Sequence, residues 1–203
     1  IASAVKSRAL EQGASVLISM VEHPQQCQAA IQELLAQRVD ALLVNVPLDD
    51  PLAEQLKTLA ASVPVLFLDV SPSARVNSLV FNAGQGASLG AEHLLSLGHR
   101  RIALLSGPES SVSARARLAG WKASLAQSGL EPVAVAYGEW SAASGYEKAH
   151  QLLSGAQLPD AILVANDQMA LGVMRACAEK GIAVPGHISI VGFDDTADSA
   201  WFS

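Results

Sequence analysis

Charge is scarce in this chain, and cysteine scarcer. Only 16% of its 203 residues are charged, the 13 lysines and arginines are scattered, and the net charge is −6. A phosphate-reading surface needs clustered cations, so this stretch by itself is not expected to bind nucleic acid. Cys27 and Cys177 stand far apart, with no second cysteine near either. That is the pattern of a reduced cytoplasmic pair rather than of a disulfide framework. No apolar run reaches the roughly 18 residues of a membrane span, and no basic leader precedes an apolar segment. Ile1 opens in mid-helix pattern and Trp201-Phe202-Ser203 stops as abruptly, so the sequence reads as a fragment that has lost both ends.

Signatures of catalysis are missing as well. There is no G-x-S-x-G elbow, no H-E-x-x-H and no G-x-x-x-x-G-K-[ST]. The five histidines, at 23, 93, 99, 150 and 187, have no metal-ligand spacing; His93 and His99 flank a helix end, where a cation favours the dipole. Gly84-Gln85-Gly86 followed by Gly90 imitates a dinucleotide fingerprint, but the third glycine falls one place late and no acidic residue is well placed at the end of the next strand. Neither an enzyme nor a bound cofactor is expected.

What is present is rhythm. Short, continuous apolar segments alternate with helical patterns, which marks parallel sheets covered on both faces. Helices are expected over 1–12, 24–38, 51–62, 84–98, 111–128, 141–153 and 166–180. Strands are expected over 14–21, 41–45, 64–68, 77–81, 101–105, 133–137, 161–165 and 188–193. In the first of these Val16, Ile18 and Met20 share one face. The link between Asp69 and Asn77 lacks a helix, which points to two α/β units, 1–82 and 83–203. Two such sheets facing each other across a cleft would bring both sets of carboxyl-end loops together.

Those loops carry polar residues. Asn45, Asp69, Asn166 and Asp194 close strands, Arg117 lies on the helix that Ser111 caps, and Trp140 sits in the loop Gly138-Glu139-Trp140. Each has an ordinary explanation: Asn45 and Asn166 can cap helices, Asp69 can end a strand through an Asx-turn, and Trp140 can plug the sheet. As a set they offer more. Carboxylate, guanidinium and amide groups make the bidentate, charge-assisted bonds that adjacent sugar hydroxyls need, roughly 1.5–3 kcal/mol each. An indole at the same edge presents a flat apolar face to a pyranose ring.

The runs GHRRI (98–102), SSVSARARLAGW (110–121), VANDQMALG (164–172) and ISIVGFDDT (188–196) resemble the effector-binding core of LacI/GalR-family transcription repressors. LLAQRVDALLVNVPLDD (34–50), VLFLDV (65–70) and GEWSAASG (138–145) are similar to the galactoside-responsive members. The resemblance covers essentially the whole chain. It implies a periplasmic-binding-protein-like fold of two three-layer α/β/α subdomains with parallel sheets flanking a cleft that holds a galactoside effector. It further implies that Asp69, Arg117, Asn166 and Asp194 bond sugar hydroxyls, with Ser113 and Asn45 as lesser polar contacts and Trp140 and Ile1 as apolar ones.

The same resemblance implies a cytoplasmic homodimer or homotetramer. Lys6, Val16, Ile18 and Met20 match one subunit interface, and Ala170, Leu171, Trp201 and Phe202 match another. By themselves Val16, Ile18 and Met20 read equally as sheet core, and Lys6 as a solvated charge. Operator DNA would be reached only through a helix-turn-helix headpiece, which this sequence lacks, together with the hinge helix, the first strand and the final strands of the family. The loop after Glu22 is about two residues short of the family pattern. A periplasmic sugar receptor of a transport system is the alternative; its N-terminus would carry a signal peptide in place of a headpiece.

Overall fold

The computed structural model describes residues 2–21, 23–197 and 199–201. The chain divides into two compact units, 1–80 and 81–203. The first holds helices α1 (Ala2–Glu11), α2 (Cys27–Ala36) and α3 (Asp50–Leu59), with strands β1 (Leu42–Val44) and β2 (Val65–Phe67). The two strands pair in parallel, Leu42 opposite Val65 and Val44 opposite Phe67, and Ser78 adds a one-residue parallel bridge to Phe67. Leu42, Val44, Val65 and Phe67 pack on Cys27 and Ile31 of α2 and on Ala53 and Leu56 of α3. The loop after β2 is tied to α3: Ser73 Oγ donates to Asp50, Lys57 Nζ to the Arg75 carbonyl, and Arg75 N–H to Glu54.

The strands expected over 14–21 and 77–81 do not form, the second being reduced to the Ser78 bridge. Residues 14–20 carry no strand, Ile18 and Met20 are 54% and 87% exposed, and Val16 is half-buried. Alternation gives this stretch a face, but a strand exists only where a neighbour completes its ladder. Among the described residues the sheet of this unit contains β1 and β2 alone. Sheet core is therefore the wrong reading of Ile18 and Met20. Asp49 caps α3, accepting from the Leu52 amide at 2.9 Å, while Asp50 and Pro51 form the first turn.

The second unit holds α4 (Ala83–Ser96), β3 (Ile102–Ser106), α5 (Val112–Gln127), β4 (Ala134–Tyr137), α6 (Ala142–Leu152), β5 (Ala161–Val164), α7 (Asp167–Glu179) and β6 (Ser189–Val191). Among the described residues its sheet runs β4-β3-β5-β6, every pair parallel. From β3 the chain steps one way to β4, then reverses through α6 to β5 and on through α7 to β6. With right-handed crossovers the reversal puts α5 on one face and α6 and α7 on the other, in agreement with the packing of α4 on α5 and of α6 on α7. The central strands β3 and β5 are buried throughout, while the edge strands β4 and β6 are only partly so. That is why IALLS and AILV are continuous apolar runs.

Local chemistry sets the helix starts. Asn82, Ser111, Ser141 and Asn166 each accept, through a side-chain oxygen, from the amide three residues on. Each cap is worth about 1 kcal/mol. At the amino edge of the sheet, the Asp160 carboxylate accepts from the amides of Arg100 and Arg101 at 3.0 Å each, with His99 Nδ1 3.4 Å away. The GHRRI run thus enters β3 pinned to the start of β5.

The glycines of the imitation fingerprint lie inside α4, where they let neighbours approach. A Cβ on Gly84 would crowd the Ala116 carbonyl, one on Gly86 the Phe193 ring, and one on Gly90 Val191. They are packing positions on a helix face.

Candidate functional site

The carboxyl ends of β3, β4, β5 and β6 emerge at one edge of the second unit's sheet, because the strands are parallel. In such sheets the opening for a ligand lies where the strand order reverses, here between β3 and β5. Four of the expected residues meet there. Asn166 leaves β5 and is 8% exposed. Its Oδ1 caps α7 by accepting from the Met169 amide at 2.9 Å, and its Nδ2 donates to the Trp140 carbonyl at 2.9 Å. One amide therefore starts a helix and holds the loop after β4.

Trp140 has φ +64°, in the left-handed region. Its indole packs on the core and occupies the space above Gly107, where a Cβ would fall within 2.6 Å of Cζ2. Gly138 is equally constrained, because a Cβ there would meet Met169 Sδ at 2.6 Å.

Arg117 projects from the second turn of α5. Its Nη1 donates to the Ala165 carbonyl, just beyond β5, and its Nη2 lies 3.5 Å from Asp194 Oδ1. The guanidinium stacks on Phe193, 3.8 Å from the ring centroid, with Trp140 at 5.5 Å on its rim. Such stacking contributes roughly 0.5–2 kcal/mol as the site desolvates.

Asp194 follows β6 with φ +108°, and Asp195 with φ +51°. Non-glycine residues adopt such angles where the surroundings over-determine the backbone, and they gather at ligand sites. Burial pushes the Asp194 carboxyl above the ordinary aspartate range; Arg117 opposes that shift and Asp167 adds to it. A shallow cavity of about 500 Å³ opens beside it, lined by Gly86, Asp167, Phe193, Asp194 and Ser199 among others.

The remaining expected residues are placed differently. Ser113 sits in the first turn of α5, 3.1 Å from Ser111 Oγ. In the first unit Asn45 directly follows β1 and is exposed, and Asp69 lies two residues after β2 and is half-buried. Parallel pairing brings both to the carboxyl edge of that sheet, where the Asp69 carbonyl accepts from the Leu48 amide at 3.2 Å. Of the expected interface residues, Lys6 is exposed on α1, Trp201 is 85% exposed, Leu171 is half-buried, and Ala170 is 8% exposed within the core of the second unit. Ile1 and Phe202 lie outside the described residues.

Sequence reasoning passed over Phe193 and Asp167. Phe193 was legible only as the end of a strand, although an aromatic next to a strand-terminal aspartate is a signal of sorts. Asp167 stood beside a good cap and was absorbed into it. Among the described residues no group of three or more His, Cys, Asp or Glu could hold a metal ion, and no helix is long and apolar enough to cross a membrane.

Doubly wound parallel sheets with polar, aromatic-lined carboxyl edges define a class of small-ligand binding domains. Residues 91–202, more than half of the chain, match the model of the periplasmic binding protein-like domain. The chain belongs to that family, within its LacI/GalR repressor branch. It is 52% identical over 204 residues to the lactose operon repressor of Escherichia coli K12, an alignment that takes in 100% of this chain and 57% of the relative. Identity to the lactose operon repressor of Klebsiella pneumoniae is 42%, over 100% of this chain and 58% of that one. The chain thus spans a little over half the length of these repressors. Among solved structures, the lac repressor dimer bound to operator and the anti-inducer ONPF superposes with a TM-score of 0.92 at 51% identity, covering 98% of this chain and 71% of that one.

Proposed function

We propose that this chain is the effector-binding and dimerisation core of a cytoplasmic, sugar-responsive transcription repressor whose effector is a galactoside. The observation that carries this reading is the cluster of Arg117, Asp194, Asn166 and Trp140 at one sheet edge, in a chain 52% identical along its whole length to a lactose operon repressor.

In this reading the chemistry divides by residue type. Arg117 and Asp194 supply a charged donor and a charged acceptor to neighbouring hydroxyls, and the second Nδ2 hydrogen of Asn166 supplies another donor. Asp69 is the first unit's carboxylate for the sugar, with Asn45 and Ser113 as lesser polar contacts. Trp140 gives apolar contact. Lys6, Val16, Ile18 and Met20, and separately Leu171 and Trp201, face a second copy of the chain, while Ala170 serves the core of its own unit. Exposed Ile18, Met20 and Trp201 are large apolar groups that gain by being covered.

Regulation follows from linkage. An effector that binds better to the conformation with low operator affinity lowers operator occupancy by its differential affinity, typically about 1–3 kcal/mol of coupling. No catalytic step is invoked.

The test is calorimetric titration of the full-length protein with methyl β-galactoside, beside a glucoside, ribose and a purine. Galactoside heat that is lost in Arg117→Ala, with the melting transition retained, supports the reading; an unchanged titration in that variant overturns it. Sedimentation separates a repressor dimer or tetramer from a transport receptor, which is ordinarily a monomer.

A further inference from the structure

Asp167 lines the same cavity as Asp194 and is bonded to the loop that carries it. It opens α7 directly after the Asn166 cap. Its backbone N–H donates to the Phe193 carbonyl at 2.9 Å. Its Oδ2 accepts from the Thr196 amide at 2.8 Å and from Ser199 Oγ at 3.0 Å, and the Thr196 and Ser199 hydroxyls lie 3.1 Å apart. Its Oδ1 fills the space that a Cβ on Gly192 would need. One residue therefore contacts positions 192 and 193 before Asp194, and 196 and 199 after it.

Between those holds lie the two left-handed residues, Asp194 and Asp195. A strained backbone of this kind persists only where neighbours fix it. The contacts of Asp167 fall on both flanks of the strained pair, and the glycine at 192 leaves the carboxylate room to reach them.

We infer that Asp167 is a positioning residue of the effector site: it clamps the loop after β6, which aims the Asp194 carboxylate beside Arg117. The inference rests on the effector reading above. Its side chain touches the loop and acts on the sugar only through Asp194. A merely structural aspartate would weaken folding without regard to Asp194, whereas a positioning one loses its effect on binding once the Asp194 carboxylate is gone.

The experiment titrates methyl β-galactoside into the full-length protein carrying Asp167→Ala, Asp167→Asn, Gly192→Ala, Asp194→Asn and the double variant Asp167→Ala/Asp194→Asn. Asp167→Ala is expected to weaken binding roughly 10-fold, the worth of a charge-assisted hydrogen bond. Asp167→Asn, which keeps an acceptor oxygen, recovers part of that loss. Gly192→Ala displaces the carboxylate without removing it and weakens binding in the same direction. The double variant binds no more weakly than Asp194→Asn alone. Unchanged affinity in Asp167→Ala, or additive losses in the double variant, overturns the proposal.

Amide exchange at residues 193–196 reads the clamp without any ligand. Faster exchange in Asp167→Ala, or in Gly192→Ala should the first variant not fold, supports it, and unchanged protection overturns it. A wild type that gives no heat with galactosides overturns the effector reading, and the exchange measurement still decides the clamp.

Discussion

The indole of Trp140 lies where a side chain at Gly107 would be. The two residues follow adjacent parallel strands, β4 and β3, whose last residues Tyr137 and Ser106 are paired. The absence of a Cβ at 107 is therefore part of how the tryptophan is seated, and the hydrogen bond from Asn166 to the Trp140 carbonyl fixes the backbone from the other side.

Gly107→Ala should accordingly expel the indole while the sheet survives. Galactoside affinity is expected to fall by a factor reflecting about 1 kcal/mol or more of lost aromatic contact. Emission from Trp140, isolated as the difference from a Trp140→Phe protein, should shift to the red. A variant with unchanged emission and affinity would show that the ring seats itself without the glycine.

Phe193 supports Arg117 from below, so the two should be coupled. Phe193→Leu keeps the apolar bulk and loses the aromatic face, and binding is expected to weaken roughly 3- to 30-fold. Phe193→Tyr keeps the face and should bind close to wild type. Equal binding by the leucine and tyrosine variants would remove the stacking argument.

The raised pKa of Asp194 has a definite sign. Its native form takes up a proton at a pH where the unfolded chain does not, because burial disfavours the charge more than Arg117 restores it. Its contribution to stability is thus greatest below the ordinary aspartate pKa and is lost as pH rises through the native value. At neutral pH Asp194→Asn should melt above wild type, with the gain shrinking as the solution is acidified through that range. Effector binding runs the other way, since the carboxylate is the acceptor: wild-type affinity should fall on acidification, starting above the ordinary aspartate range. A melting difference independent of pH would contradict the assignment.

Where α6 and α7 cross, Gly145 and Gly172 face the opposite backbone. A Cβ on Gly172 would come within 2.5 Å of the Tyr146 amide nitrogen, and one on Gly145 within 2.6 Å of the Met169 Cα. Gly172→Ala should therefore destabilise the protein by about 1–3 kcal/mol through overpacking, despite the better helix propensity of alanine. Denaturant unfolding measures this. A neutral or stabilising result would mean that the helices part at little cost.

Much was legible without coordinates. The alternation of apolar runs with capped helices, the parallel sheets, and the placing of Asn166, Arg117, Trp140 and Asp194 at strand ends or helix starts all follow from local rules. Apolar periodicity and capping chemistry act over a few residues, and parallel connections send strand ends to a common edge. These signals mislead where a local pattern needs a distant partner. Residues 14–20 have a strand's alternation and no ladder. Gly84, Gly86 and Gly90 have nearly a nucleotide loop's spacing but lie on a helix face.

What the sequence alone determined, then, is that Asn166, Arg117, Trp140 and Asp194 stand near the edge. What only the tertiary structure decided is how they engage one another: Arg117 on Phe193, Asn166 on the Trp140 carbonyl, Asp167 around the loop that bears Asp194. These contacts join residues 26 to 76 positions apart, so no local periodicity encodes them. They exist because a sheet order that reverses between β3 and β5 brings the start of α5, the start of α7 and the last loop to one sheet edge.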